Sequence, residues 1–443
     1  MTEAASLPTA CLKQFCMIRG VILRAMSSFL VGAAAFMSVA AQTDDSQTEL
    51  RLNPEIELNM PVGVDVSKYP FLHLDDNRIE MNGADWSRLA DIFTGAKSGD
   101  NLFSVIYLGD SHIQADFGGD MLRERLMSQS RPAGRGIAIP YRLASTNQPN
   151  DYTISTKTRL KTSKLLRQPW GVDMPFTGIG VQPVAGNHTF CISSKRRFSL
   201  VNILYNGDGP EVSEVKDGDK VLPHHTLQNN PGKLSLCLDR SVESLDITLN
   251  SGAGTTYAGF ELLSDTVGTV VHSIGNNGAT YGSYVQISDM GRGLSSLQPD
   301  LIIIALGTNE AFGKATDTDI KANIDALVCD IRKNCEDAQL LLVGPAECYR
   351  KTYRWVRRKG RRRRVSSTVV NARVKGVRNA IREYAAGEGI PYYDHYEVAG
   401  GDGSAAKMKA GGILGKDGIH YTVAGYQLWG LLLADAILAE LLR

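Results

Sequence analysis

The sequence predicts an α/β domain built on a parallel sheet and interrupted by an all-β insertion. Three observations carry that prediction. From Phe103 to the end, short runs of β-formers alternate with helix-periodic segments, the rhythm of strands joined by right-handed helical crossovers. The strands read as continuous apolar runs (FSVIYL, LIIIAL, LLLV), as expected of a sheet covered on both faces. Between about Gly134 and Asp265 the texture changes to runs such as FSLVNILY, KLSLCL and SLDITL, separated by Asn206-Gly207-Asp208-Gly209 and Asp217-Gly218-Asp219. That is the turn chemistry of a β-sandwich.

The elements follow in order. Lys13, Arg19 and Arg24 precede an uncharged apolar run, Met26 to Ala41, that ends in small residues. The run is shorter than the roughly 20 residues needed to cross a bilayer and reads as a cleaved export signal over residues 1–41. The reading therefore places the protein in the periplasm or outside the cell. A polar lead-in contains a helical stretch near Asp85 to Phe93. FSVIYL is a strand ending at Gly109-Asp110-Ser111, and the helix after it turns Met121, Leu122 and Leu126 inward. The part 42–134 thus opens the α/β domain, 135–265 is the insertion, and 266–443 completes the domain. In that last part VGTVVHSIG is a strand and Ser283 to Leu297 a helix. LIIIAL leads to a helix with Ile320, Ile324, Leu327 and Ile331 inward and Thr316 or Asp317 as its cap. LLLVG, a helix over Asn371 to Ala386, PYYD and an apolar helix over Thr422 to Leu442 close the chain.

Composition narrows little. At 443 residues the chain is too long for one small core, and 43% hydrophobic with 21% charged residues is ordinary for a folded protein. The net charge of +1 hides a local asymmetry. Arg350 to Arg364 carries ten Lys or Arg and no acid, so the remainder is net acidic. Interleaved with Tyr353 and Trp355, the run reads either as a solvated loop or as a loop attracted to an anionic wall polymer or envelope surface. Nucleic acid is not an expected partner of an exported chain. Beyond the signal five cysteines remain, of which Cys191 and Cys237 could pair. No CxxC or Cys/His spacing suggests zinc. His272 and His395 read as structural, and His224-His225 as part of an insertion loop.

Four polar clusters fall where ligands bind in parallel sheets, beyond the carboxyl ends of strands. They are Gly109-Asp110-Ser111-His112, Gly275-Asn276-Asn277-Gly278-Ala279-Thr280, Gly307-Thr308-Asn309-Glu310 and Asp417-Gly418-Ile419-His420. A serine hydroxyl becomes nucleophilic when a base takes its proton. A His held by a carboxylate is that base, and Asp417 and His420 can meet on one turn. An oxyanion needs aimed donors: the N–H of Ser111, the N–H of Gly278 (with Gly275 as competitor) and the amide of Asn309. Asp110, His112 and Glu310 complete a possible pocket. No metal or organic cofactor is implied, and GxSxG, HExxH and GxxxxGK[ST] do not occur.

These residues carry a resemblance. GDSH, NNGAT, GTNE and DGIH resemble the four blocks of the SGNH (GDSL-type) hydrolases, whose Ser, Gly, Asn and His match Ser111, Gly278, Asn309 and His420, with the family's triad Asp on Asp417. The resemblance spans about residues 100–443 and implies a flavodoxin-like, three-layer domain and serine-esterase chemistry without a cofactor. Within the family the chain is most similar to bacterial peptidoglycan O-acetylesterases. GDSHIQADF, a following GRG, an Arg-rich loop, a GG-x-x-S and DGIHYT-x-x-GY all fit them. Their β insertion implies a jelly-roll-like, carbohydrate-binding-module-like role for 135–265, and an O-acetylated cell-wall glycan as substrate. The same chemistry on another acetylated polysaccharide, a lipid or an aryl ester, or acetyl transfer to a glycan, stays open. His112 stands where many members carry Leu or Ile, and Gly344-Pro345-Ala346-Glu347 where Gly-Pro-Pro-Asp is commoner.

Overall fold

The computed structural model describes residues 65–358 and 361–443, so the expected export signal lies outside the described residues. Residues 64–443 form one compact unit. Its centre is a six-stranded sheet of β1 (Ile79–Glu80), β2 (Phe103–Gly109), β13 (Thr269–Gly275), β14 (Leu301–Ala305), β15 (Gln339–Val343) and β18 (Tyr392–Tyr393), with β3 to β12 lying between Gly134 and Leu263. The spatial order is β1-β18-β15-β14-β2-β13. All pairings are parallel except the edge pair β1–β18. Without that edge strand this is the 2-1-3-4-5 order of flavodoxin-like sheets, which reverses beside the first strand and opens a crevice at the strand ends there.

Burial on both faces explains the uninterrupted apolar runs. Ile106, Leu108, Ile302, Ile304, Leu340 and Leu342 enter one core, while Val105, Tyr107, Leu301, Ile303, Leu341 and Val343 enter the other, the period of two that strand geometry dictates. Helices α1 (Ser87–Ser98), α3 (Phe117–Met127) and α8 (Val423–Leu441) cover one face. Helices α6 (Asp317–Asn334) and α7 (Arg373–Gly387) cover the other. Thr316 caps α6, its hydroxyl accepting from Asp319 N–H while Asp319 answers the Thr316 N–H. The helix expected over Ser283 to Leu297 is broken instead into α4 (Tyr281–Tyr284) and α5 (Met290–Ser295). Gly291 and Gly293 lie inside α5 rather than at the break, and each costs that helix about 1 kcal/mol of propensity. They also let α5 approach Asp330 and Phe176 more closely than a Cβ would permit. None of the described helices is long and apolar enough to cross a membrane.

The chain between β2 and β13 makes a second, ten-stranded sheet, antiparallel throughout. Its axis is the pair β7 (Gly186–Asn206) and β11 (Lys233–Ser251). Their register breaks between Cys237 and Val242 and again before Ser244, where bulges bend both strands. The halves on either side of the break share one apolar core, including Phe190, Ile192, Val201, Ile203, Leu236 and Ile247. Cys191 faces Asp246 and Cys237 faces Leu200, on opposite sides of the bend. The suggested pairing is not made, and Cys191 is a free thiol. His224 and His225 open strand β10 (His224–Asn230) rather than a loop.

The arginine-rich segment is also not a loop. Strands β16 (Tyr349–Arg358) and β17 (Arg361–Val370) pair antiparallel in continuous register from Tyr349↔Val370 to Arg358↔Arg361.

Candidate active site

The site assembles at the strand ends where the sheet order reverses. β2 finishes at Gly109, where a Cβ would stand 2.7 Å from the Ala305 carbonyl oxygen, so the turn into the next helix requires glycine. Asp110 caps the short helix α2 (Ser111–Gln114) by accepting the His112 N–H at 2.9 Å, which sets Ser111 on the helix's first turn. Ser111 Oγ lies 2.8 Å from His420 Nε2. His420 Nδ1 lies 2.7 Å from Asp417 Oδ2. The other Asp417 oxygen accepts the N–H groups of Ile419 and His420 at 2.9 and 3.0 Å, which locks the turn. Partial burial alone would raise the Asp417 pKa. The hydrogen bonds from the His420 side chain and the two N–H groups outweigh it, and the pKa lies below the usual carboxylate value. An ionised Asp417 accepts the hydrogen bond from Nδ1–H, which keeps the proton on Nδ1 and leaves Nε2 as the acceptor facing Ser111. His420 and Asp417 side chains are 43% and 48% exposed, so a bulky polymer can reach the pair.

Gly278 adopts φ +83°, its N–H has no acceptor among the described residues, and the space beside it is open, with only Leu166 near 3.9 Å. Gly275 is different. Its N–H donates to the Tyr141 hydroxyl at 3.1 Å, and it packs on the Gln114 backbone. Asn309 donates to Asp110 Oδ2 at 2.9 Å and to the Ala279 carbonyl at 3.0 Å, so both its N–H groups are engaged. Asp110 is buried beneath the turn. That burial raises its pKa to about 7, against the lowering effect of its hydrogen bonds. Glu310 is likewise raised to about 7 by burial, and it accepts the Tyr281 N–H at 2.8 Å, tying its loop to the start of α4. The His112 ring lies tilted against those of His420 and Tyr421, with centroids 5.3 and 5.1 Å away, and reaches the Tyr426 hydroxyl. Desolvation holds it neutral, its pKa pushed down to about 3.

Residues that sequence reading passed over complete the site. Gln114 accepts the Asn277 N–H at 2.8 Å and donates to Asn147, which also receives Asn277 Nδ2 at 2.6 Å. The loop carrying Gly278 is therefore tied to residues of the inserted chain. Below the turn, Arg135 lies between Asp116 (2.6 Å) and Asp151 (2.8 Å), and Arg123 adds a second guanidinium on Asp116 at 3.0 Å. The Gly134-Arg135-Gly136 pattern was the available signal, and only the fold shows what its arginine clamps. His272 accepts the Ile137 N–H at 3.1 Å, and His395 packs on Trp429; both are structural, as expected.

The class that this fold and site define is that of the carboxylic ester hydrolases. Residues 245–428, which include Gly278, Asn309, Asp417 and His420, match the model of the GDSL-like lipase/acylhydrolase family. Among solved structures, a peptidoglycan O-acetylesterase is similar to this chain with TM-score 0.66 at 20% identity, over 82% of this chain and 99% of its own. That span takes in the antiparallel strands as well as the parallel sheet, and it shows a common fold. A lipase/acylhydrolase from Enterococcus faecalis (TM-score 0.28, 20% identity, 38% of this chain and 75% of its own) matches a smaller share. A family two carbohydrate esterase from Clostridium thermocellum (TM-score 0.26, 13% identity) matches over 64% of this chain and 99% of its own. No curated protein sequence matches the chain.

Proposed function

We propose that the protein is an exported serine esterase that removes O-acetyl groups from muramic-acid hydroxyls of peptidoglycan. The observation that carries the chemistry is the continuous chain Ser111 Oγ–His420–Asp417, with links of 2.8 and 2.7 Å. Ser111 Oγ attacks the acetyl carbonyl while its proton passes to His420 Nε2, and Asp417 stabilises the imidazolium. The oxyanion is received by the N–H groups of Ser111 and Gly278. Asn309 joins them by exchanging its bond to Asp110. The sugar hydroxyl departs with the proton from His420, and water, activated by the same His, releases acetate from Ser111. Peptidoglycan as substrate is supported by the fold shared with a peptidoglycan O-acetylesterase through the β insertion, by the export-like N-terminus and by the solvent-open His420–Asp417 pair.

The test is acetate release from O-acetylated sacculi and from p-nitrophenyl acetate, by the parent and by Ser111→Ala. The variant should lose at least about 10⁴-fold in kcat on both substrates. Activity on the small ester alone would move the assignment to another acetylated glycan. Equal activity of parent and variant would remove Ser111 from the chemistry.

A further inference from the structure

The β16–β17 hairpin is used by nothing in the hydrolytic machinery, yet it is rooted there. At its start the Tyr349 N–H donates to the Gly418 carbonyl at 2.8 Å, inside the Asp417–His420 turn. At its end the Asn371 N–H returns to the Cys348 carbonyl at 2.8 Å, and the Asn371 amide holds the Ala311 carbonyl at 3.1 Å, beside the Asn309–Glu310 loop. From that root two ten-residue strands project, about 33 Å if fully extended.

The register sorts the side chains by face, because residues directly opposite in an antiparallel pair point the same way. Tyr353↔Ser366, Trp355↔Arg364 and Arg357↔Arg362 share one face. Tyr353 and Trp355 are 55% and 63% exposed, with Arg364 3.8 Å from the Tyr353 ring centroid and Arg362 5.8 Å from that of Trp355. The segment contains no Asp or Glu, and none of its described cations makes an ion pair with a described residue. An isolated two-stranded ribbon is marginally stable, and like charges along it make it less so. A ribbon built this way is matched to an anionic, ring-bearing partner.

We propose that this hairpin is a glycan-binding arm: Tyr353 and Trp355 stack on sugar rings, Arg357, Arg362 and Arg364 pair with carboxylates of the same strand, and the root delivers that strand to Ser111. The proposal rests on the esterase reading above. The root on the Asp417–His420 turn favours a glycan over a nucleic acid, since an occupant of the arm is presented to an acyl-ester site. Guanidinium groups suit carboxylates through paired N–H donors.

Binding is best measured in the Ser111→Ala background, where turnover plays no part. The probes are insoluble peptidoglycan sacculi, the same sacculi with carboxyls amidated, phosphatidylglycerol vesicles and a single-stranded oligonucleotide. Replacing Arg357, Arg362 and Arg364 together by Glu should cut the sacculus-bound fraction at least tenfold. Amidation should do the same to the unreplaced arm. Tyr353→Ala with Trp355→Ala should weaken binding several-fold while leaving its salt dependence intact. An unchanged melting temperature certifies the fold of each variant. Unaltered sacculus binding in these variants, full binding to amidated sacculi, or arm-dependent binding to vesicles or oligonucleotide that exceeds binding to sacculi would each overturn the arm. Acetate release is read in parallel on the protein that keeps Ser111: release that persists while binding ignores the arm rejects the arm alone. Arm-dependent binding without acetate release by that Ser111 protein rejects the ester and leaves the arm.

Discussion

At the scale of single residues, Asp417 and Glu310 show how one functional group serves different ends by its surroundings. Asp417 is held ionised by His420 and two backbone N–H groups, and it fixes a tautomer without touching the ester. Asp417→Asn keeps an oxygen for the two N–H groups but presents an amide to Nδ1. We expect kcat to fall about 10³- to 10⁴-fold with KM little changed, checked on p-nitrophenyl acetate. Loss through KM alone would mean that Asp417 shapes binding instead. Glu310 is buried with one oxygen unpartnered, and its pKa is raised from 4.5 to about 7. The folded state therefore holds this proton more tightly than the unfolded chain. The resulting stability is complete below about pH 4.5, declines as pH rises towards 7, and is gone above it. Glu310→Gln removes that slope. Relative to the parent, the variant should gain on the order of 2–3 kcal/mol between pH 4.5 and 8. Urea midpoints at the two pH values check it, and an identical difference at both would show that Glu310 does not titrate in this window. The groups at the strand ends were legible in the sequence because Ser, His, Asp and Asn cluster beside glycines. The engagement of Asn309 by Asp110 was not, since it depends on two loops 199 residues apart.

At the scale of elements, legibility followed length and regularity. The strands were readable as continuous apolar runs, Phe117–Met127 and Asp317–Asn334 from helical periodicity, and Val423–Leu441 from its long apolar run. Strand β1, two residues long, has too few positions for a pattern. The hairpin was hidden because its cations mask the β-forming Tyr, Thr, Trp and Val residues on both sides of Lys359-Gly360. The Asp116 cluster was invisible for another reason: burial of an arginine depends on carboxylates that only the fold supplies. Arg123 and Arg135 are 0% and 1% exposed at their side chains, joining α3, the inserted sheet and Asp151. Asp116 sits at φ +60°, a conformation that Asn also tolerates. Asp116→Asn therefore removes the charge with little backbone penalty. Two buried guanidinium groups would lose their shared counter-charge, and we expect a destabilisation of about 3–5 kcal/mol, read from urea or thermal unfolding. A loss below about 1 kcal/mol would mean that Asp151 and Asp120 neutralise both arginines without it.

At the scale of the whole molecule, the inserted strands do not form a separate body carried by the parallel sheet. Ile137, Ile139, Leu204 and Ala258 from the insertion lie in the same core as Ile106, Ile274 and Ile304 of the sheet. Asn147 fastens the Gly278 loop, and Arg135 spans the junction below it. Polar linkers with few crossing contacts let domains melt separately; a shared apolar core couples them. Residues 64–443 should accordingly lose esterase activity and β-sheet signal in one thermal transition. Leu204→Ala provides the decisive variant, because Leu204 is 1% exposed, belongs to the inserted sheet, and is far in sequence from every residue of the Ser111 site. Truncating such a leucine costs about 2–5 kcal/mol. If the two sheets unfold together, the temperature of activity loss and that of sheet loss should fall in step. If activity keeps the parent's melting temperature while the sheet signal shifts, the hydrolase core stands alone and the shared core contributes packing without cooperativity.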